Sequence, residues 1–171
     1  MPIEDTKTSL ILKEIKRRKN QDTTFVVEEE QVELVFFTLL DRYYAIFGAD
    51  AKEILPLIRI NQIPGAPNNI LGVINVRGDI ESVLDINRVL GLASQPKTNK
   101  NRIIIAENSD LRSGILTGVV HDVIYIPKSS IKPPLASLTD ETKDFVRGET
   151  LYNNNEVTVL DIGMIFKKSL A

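Results

Sequence analysis

The chain contains no cysteine, a single histidine and no long apolar run, and each shortage removes a class of chemistry. Without cysteine there is no disulfide, no thiolate nucleophile and no zinc site that needs sulfur, and the composition fits a reducing compartment. His121 is followed directly by Asp122. Neighbours along a strand point to opposite faces, so the two do not make a ready dyad. A metal site would need carboxylates converging on that one imidazole, and the plainer reading is a histidine in a loop or at a strand end. No stretch approaches the ~20 apolar residues of a spanning helix. The run Ser9–Leu12 is too short for a secretory signal, and acidic Glu4 and Asp5 precede it. The expected location is therefore the cytoplasm.

An excess of one charge is also missing. Lys and Arg number 21 against 23 Asp and Glu, a net −2, without the basic surplus of nucleic-acid binders. No Gly-x-x-x-x-Gly-Lys-Ser/Thr phosphate loop and no Gly-x-Ser-x-Gly elbow occurs. Glu28-Glu29-Glu30 is a solvated run rather than an acid/base pair. Arg77-Gly78-Asp79 spells an adhesion tripeptide, which has no such meaning in a cytoplasmic hairpin turn. The expectation is a protein with no catalytic residues, no cofactor and no metal.

What is present is ordinary for a soluble globular protein: 171 residues, 43% hydrophobic and 26% charged, enough for one domain or two very small ones. Residues 1–29 stand apart. Thr8–Lys19 predicts a helix, with Ile11, Leu12 and Ile15 on one face and Lys16–Lys19 at its C-terminal end, where the helix dipole favours cations. That helix either lies on the body of the protein or is a basic anchor for a membrane or a partner. Residues 20–24 form a linker.

From Glu30 the pattern turns to β. Val32–Phe37 and Tyr43–Phe47 flank Asp41-Arg42 as a hairpin. Gly48–Leu55 is expected as a short connection with one helical turn, followed by a brief strand, Leu57–Ile60. Pro64–Pro67 must be a loop. Ile70–Val76 and Ile80–Ile86 form a second hairpin around Gly78. A helical turn at 87–90 stops at Gly91, and Ala93–Lys100 is a surface loop. Further strands are Arg102–Ala106, Ser113–Val120, Val123–Ile126, Arg147–Leu151 and Glu156–Ile162. Between them stand the turns 107–110 and Asn153–Asn155 and a short helix capped by Ser137 or Thr139. A helix Met164–Leu170 finishes the chain. About nine short strands with closely spaced turns predict small barrels or a sandwich, and no βαβ crossover supports a parallel sheet.

One echo is visible. Ser82-Val83-Leu84-Asp85-Ile86, then Val89-Leu90, resembles Thr158-Val159-Leu160-Asp161-Ile162, then Ile165-Phe166. Arg77-Gly78 and Arg147-Gly148 precede the two copies at different spacings, as if the second hairpin were longer. Two related subdomains follow, with Asp85 and Asp161 as helix N-caps.

An ordered set of segments resembles the CheW family of bacterial chemotaxis coupling proteins. The set comprises Leu34-Val35-Phe36-Phe37 with Tyr44-Ala45-Ile46, Lys52-Glu53-Ile54, and Pro67 leading into Ile70-Leu71-Gly72-Val73-Ile74-Asn75-Val76-Arg77-Gly78. It continues through Val83-Leu84-Asp85-Ile86, Leu90-Gly91-Leu92, Gly114-Ile115-Leu116, Val119-Val120-His121-Asp122-Val123 and Ile131-Lys132-Pro133. The match runs from about Glu30 to Phe166. The resemblance implies an all-β fold of two five-stranded, SH3-like barrels within residues 30–171, divided near 90–100, with the C-terminal segment returning to the first. It implies a non-catalytic adaptor between the cytoplasmic tip of a chemoreceptor and the regulatory domain of a CheA-type histidine kinase, in receptor arrays at the inner membrane. Neither nucleic acid nor direct membrane insertion is implied. By motif position Glu53, Gly72, Asn75, Arg77 and Gly78 fall in the coupling segments, and Ala51 sits where the family often exposes a valine. Arg77 either pairs with a partner carboxylate or fixes its own turn. The chain departs from the family at Ser82 (usually Pro), Asn87 (usually Arg) and Glu81 (usually apolar). A ligand- or nucleic-acid-binding barrel and an enzyme built from distant residues are the alternative readings.

Overall fold

The structure is a computed structural model describing residues 11–15, 29–136 and 138–170. The chain divides into two compact units, 1–30 and 31–171. In the first, residues 11–15 are helical (α1), and Ile11, Leu12 and Ile15 are exposed. The rest of the expected N-terminal helix, Lys16–Lys19 included, lies outside the described residues, as do the linker, Glu28 and Ser137.

The second unit runs β1 (Gln31–Leu39), β2 (Arg42–Phe47), a 3-10 turn (Gly48–Asp50), β3 (Ala51–Pro56), β4 (Ile70–Val76), β5 (Asp79–Leu84), α2 (Ile86–Val89), β6 (Arg102–Asn108) and β7 (Leu111–Thr117). It continues with β8 (Val120–Pro127), a 3-10 turn (Lys128–Ser130), α3 (Asp140–Lys143), β9 (Val146–Tyr152), β10 (Asn155–Leu160) and α4 (Ile162–Leu170). The strands form two five-stranded sheets, ordered β8-β1-β2-β10-β9 and β3-β6-β7-β5-β4. The chain crosses between sheets at Gly48–Asp50 and again between β7 and β8. The expected division near 90–100 is therefore corrected: the 93–100 loop joins two strands of one sheet, because β6 and β7 complete the sheet begun by β3–β5. A second correction concerns 48–60. The strand there is Ala51–Pro56, with alternating burial and Pro56 at its end, as an edge strand permits. Leu57, Ile58 and Ile60 pack irregularly against the core.

The two sheets have one topology. In each, an edge strand and a tight hairpin pair antiparallel. A parallel contact follows, β2 with β10 or β7 with β5, and then a second hairpin. The ladder between the two edges of each sheet is a single bridge, Asn61 with Val73 in one and Lys132 with Glu149 in the other, so each sheet is a barrel sealed at one point. The sheet containing β1 is called the first barrel, the other the second.

The continuous apolar runs are explained by burial on both faces. Leu34, Phe36, Ala45, Val157 and Val159 fill the first barrel. Ile74, Val83, Ile103, Ile105 and Leu116 fill the second. The intervening residues Val35, Phe37, Ile104 and Ala106 face a shared core with Leu84, Ile86, Ile162, Ile165 and Phe166. Strands covered on both sides lose the apolar/polar alternation that a half-exposed strand shows. Asp85 Oδ1 accepts the Arg88 backbone N–H at 3.2 Å and Asp161 Oδ1 that of Met164 at 3.0 Å, so both are N-caps.

The echo itself is longer and more regular than the sequence suggested. Gly148 is the counterpart of Gly72, not of Gly78: each precedes the seam residue, Glu149 or Val73, and equal numbers of residues separate Gly72 from Asp85 and Gly148 from Asp161. The hairpins have equal length. Each closes through a two-residue turn with both residues left-handed, Arg77-Gly78 at φ 54° and 89° and Asn153-Asn154 at 47° and 65°.

Candidate coupling surface

Four of the six expected site residues meet at one end of the second barrel. Glu53 projects from edge strand β3, and Arg77 from the β4–β5 turn. Its two terminal guanidinium nitrogens donate to Glu53 Oε2 at 3.2 Å and Oε1 at 2.5 Å, a bidentate pair spanning the two edges of the sheet. Arg77 is 77% exposed and Glu53 23%, so the guanidinium faces solvent over a partly covered carboxylate. Asn75 Oδ1 accepts the Gly78 backbone N–H at 2.9 Å and holds the turn. Ile80, on the returning strand, is 64% exposed. That residue was not singled out from the sequence. Its signal was the apolar side chain just after a charged turn, at the outer end of β5, where the ladder pairs Ile80 with Asn75 of β4 and the contact with β7 begins only at Val83.

The remaining two stand elsewhere. Gly72 lies at the far end of β4, where a Cβ would come 2.2 Å from the Asn61 carbonyl oxygen. Ala51 opens β3 opposite Ala106 and packs against the shared core. At this position, where the family often exposes a valine, the alanine is half-buried.

The departures from the family pattern have local partners. Glu81 Oε1 accepts from Arg112 Nε at 2.8 Å, with Glu107 at 3.4 Å from the same guanidinium, on adjacent strands β5 and β7. The equivalent pair in the first barrel is Val157 beside Tyr43. An ion pair thus stands where the first barrel has an apolar cross-strand pair, and the Arg112 guanidinium satisfies an acid at a position only 13% exposed. Ser82 Oγ lies 2.9 Å from Ser113 Oγ. Asn87 is buried, and its amide nitrogen donates to the Ala93 carbonyl at 2.9 Å, tying down the chain after α2.

His121 and Asp122 are not separated by the strand alternation expected of them. A bulge at His121 breaks the β8–β1 register, so that Asp122 faces Phe36 and Val120 faces Phe37. Both side chains then reach Tyr152: its hydroxyl donates to Asp122 Oδ2 at 3.2 Å, and its ring centroid lies 6.4 Å from that of His121. Desolvation and the Asp122 carboxylate push the Tyr152 phenol above its ordinary pKa, so it remains a donor. Glu149 lies between two shallow depressions of about 490 and 660 Å³, which share Leu135 and Glu156. Burial pushes its carboxyl up, against the opposing hydrogen bond from Thr158. Among the described residues no cluster of metal-ligating side chains occurs.

A family model described as the CheW-like domain matches residues 33–170. The chemotaxis protein CheW of Helicobacter pylori is 27% identical over 140 residues, covering 82% of this chain and 84% of that protein. The CheW of Bacillus subtilis is 26% identical over 135 residues, covering 79% and 86%. Among solved structures, the scaffolding protein TtCheW from Thermoanaerobacter tengcongensis is similar with a TM-score of 0.72 and 29% identity, covering 82% of this chain and 90% of that one.

Proposed function

The chain belongs to the CheW-like domain family, and from that premise we propose that it couples the tip of a chemoreceptor to the regulatory domain of a CheA-type histidine kinase. It is a non-catalytic scaffold of the chemotaxis type. The coupling surface on this reading is the end of the second barrel: Glu53, Asn75, Arg77 and Gly78 with Ile80 beside them. Gly72 and Ala51 act from behind, by setting the seam and the start of β3. The observation that carries the assignment is the Glu53–Arg77 pair. It presents an exposed guanidinium in a fixed orientation at the end of the barrel that also exposes Ile80, and arginine is among the residue types enriched at protein–protein hot spots. The place of action is the cytoplasmic side of the inner membrane, in receptor arrays. Among the described residues no helix is long and apolar enough to cross a membrane.

The test is binding of the full chain to a CheA-type regulatory domain and, separately, to a receptor-tip fragment. Binding is expected, with Arg77→Ala weakening it. No binding to either at tens of micromolar overturns the reading.

A further inference from the structure

The bulge in β8 has a counterpart in the second barrel. In β3, Glu53 faces Ile105 and Ala51 faces Ala106, with Lys52 extruded between them. In β8, Asp122 faces Phe36 and Val120 faces Phe37, with His121 extruded. Ile105 and Ala106 occupy the same places before the β6–β7 turn as Phe36 and Phe37 before the β1–β2 turn. Asp122 is therefore the first-barrel counterpart of Glu53. Across the seam, the counterpart of Arg77 is Asn153, first residue of the equivalent turn.

The two ends differ in how the acid is satisfied. Glu53 receives a bidentate guanidinium from its own chain. Asp122 receives one donor on each oxygen, the Val123 backbone N–H at 2.9 Å on Oδ1 and the Tyr152 hydroxyl at 3.2 Å on Oδ2. Asn153 is too short and uncharged to supply the missing cation. The tyrosine that bonds this acid stands in a cluster of three rings: Tyr43 and His121 have centroids 5.2 Å apart, and Tyr152 lies 6.4 Å from each. Tyr152 is stacked from below by Phe36 at 4.6 Å, which fixes its plane. A carboxylate beside aromatic faces selects a planar, weakly hydrated cation over a compact ammonium, because a guanidinium can stack and hydrogen-bond at once.

We propose that this end of the first barrel docks an arginine side chain of a protein partner, which gives Asp122 the guanidinium that Arg77 gives Glu53. The second barrel thus closes its seam internally, whereas the first leaves the same seat for a partner. The inference does not depend on the receptor–kinase reading.

The experiment uses the full chain and three capped single-residue probes, the N-acetyl methylamides of arginine, lysine and citrulline, followed by ring-proton NMR of His121, Tyr43 and Tyr152. Saturable shifts with the arginine probe are expected, several-fold stronger than with lysine or the uncharged citrulline, and lost in Asp122→Asn. Asn153→Arg is expected to pair internally with Asp122 and abolish the response; the left-handed Arg77 shows that arginine tolerates that backbone. No saturable shift, an equal response to all three probes, or a response retained in Asp122→Asn overturns the proposal. Asp122→Asn is a same-size change at a partly exposed site, so the test stands even where Asn153→Arg fails to fold.

Discussion

Gly72 and Gly148 occupy the same point of the two barrels, each passing directly under a backbone carbonyl of the segment that seals the seam. A Cβ on Gly72 would lie 2.2 Å from the Asn61 oxygen, and on Gly148 2.3 Å from the Lys132 oxygen. The contacts are backbone, so no side-chain rotation relieves them. The seam hydrogen bonds on either side, Val73 N–H to Asn61 O at 2.9 Å and Glu149 N–H to Lys132 O at 2.8 Å, would have to lengthen. Gly72→Ala and Gly148→Ala are each expected to lower stability by about 1–3 kcal/mol, the usual cost of overpacking. Urea unfolding of the two variants checks this, and a loss below a few tenths would show that the seam is not rigid.

Arg77→Ala separates binding from folding. The pair with Glu53 is exposed on the arginine side, and such pairs contribute about 0.2–1 kcal/mol. The melting temperature should change little while binding of the kinase regulatory domain weakens. A large fall in melting temperature would make Arg77 a structural residue.

Glu81 and Arg112 should behave as one unit. A double-mutant cycle with Glu81→Val and Arg112→Tyr, the pair that copies Val157 and Tyr43 of the first barrel, is expected to give a coupling of about 1 kcal/mol. Each single change should cost more than the double. Additive effects would mean that the two side chains are independent in solution.

Two carboxyls give opposite pH dependence. The Lys168 ammonium, 2.8 Å away, holds Asp144 below the ordinary aspartate range. Its contribution is present above that range and is lost as pH falls through the folded value. Glu149 is held above the ordinary glutamate range. Its relative stabilisation is present below that range and is lost as pH rises through the folded value. Melting temperature against pH for Asp144→Asn should show a shallower loss toward acid than the parent. Glu149→Gln should gain on the parent as pH rises from the ordinary glutamate range toward neutrality. Curves parallel to the parent would contradict both.

The two caps provide a matched pair. Asp85→Ala and Asp161→Ala should each cost about 1 kcal/mol in chemical unfolding. The cost at Asp161 should be the larger. It begins the longer helix α4, which contributes Ile162, Ile165 and Phe166 to the shared core, and it also lies 3.7 Å from Arg147.

The amino-acid pattern alone determined the β class, most of the hairpins, both aspartate caps and the segment order that points to the CheW-like family. These are local properties. Turn residues, strand runs and capping preferences act over a few neighbours and leave their mark in consecutive letters. The tertiary structure decided what depends on register. Ala51–Pro56 became a strand because β6 offered it an edge. His121 and Asp122 came to one side because a bulge, invisible in composition, offsets one residue. Gly72 paired with Gly148 rather than Gly78, since close approach of backbone to backbone is a long-range event. The residues proposed for coupling were legible as a motif. Their chemistry was not: only the meeting of the two edges of the second barrel shows that Arg77 answers Glu53, and only the register of the first shows that Asp122 stands at the same place with a backbone N–H and a tyrosine hydroxyl as its donors.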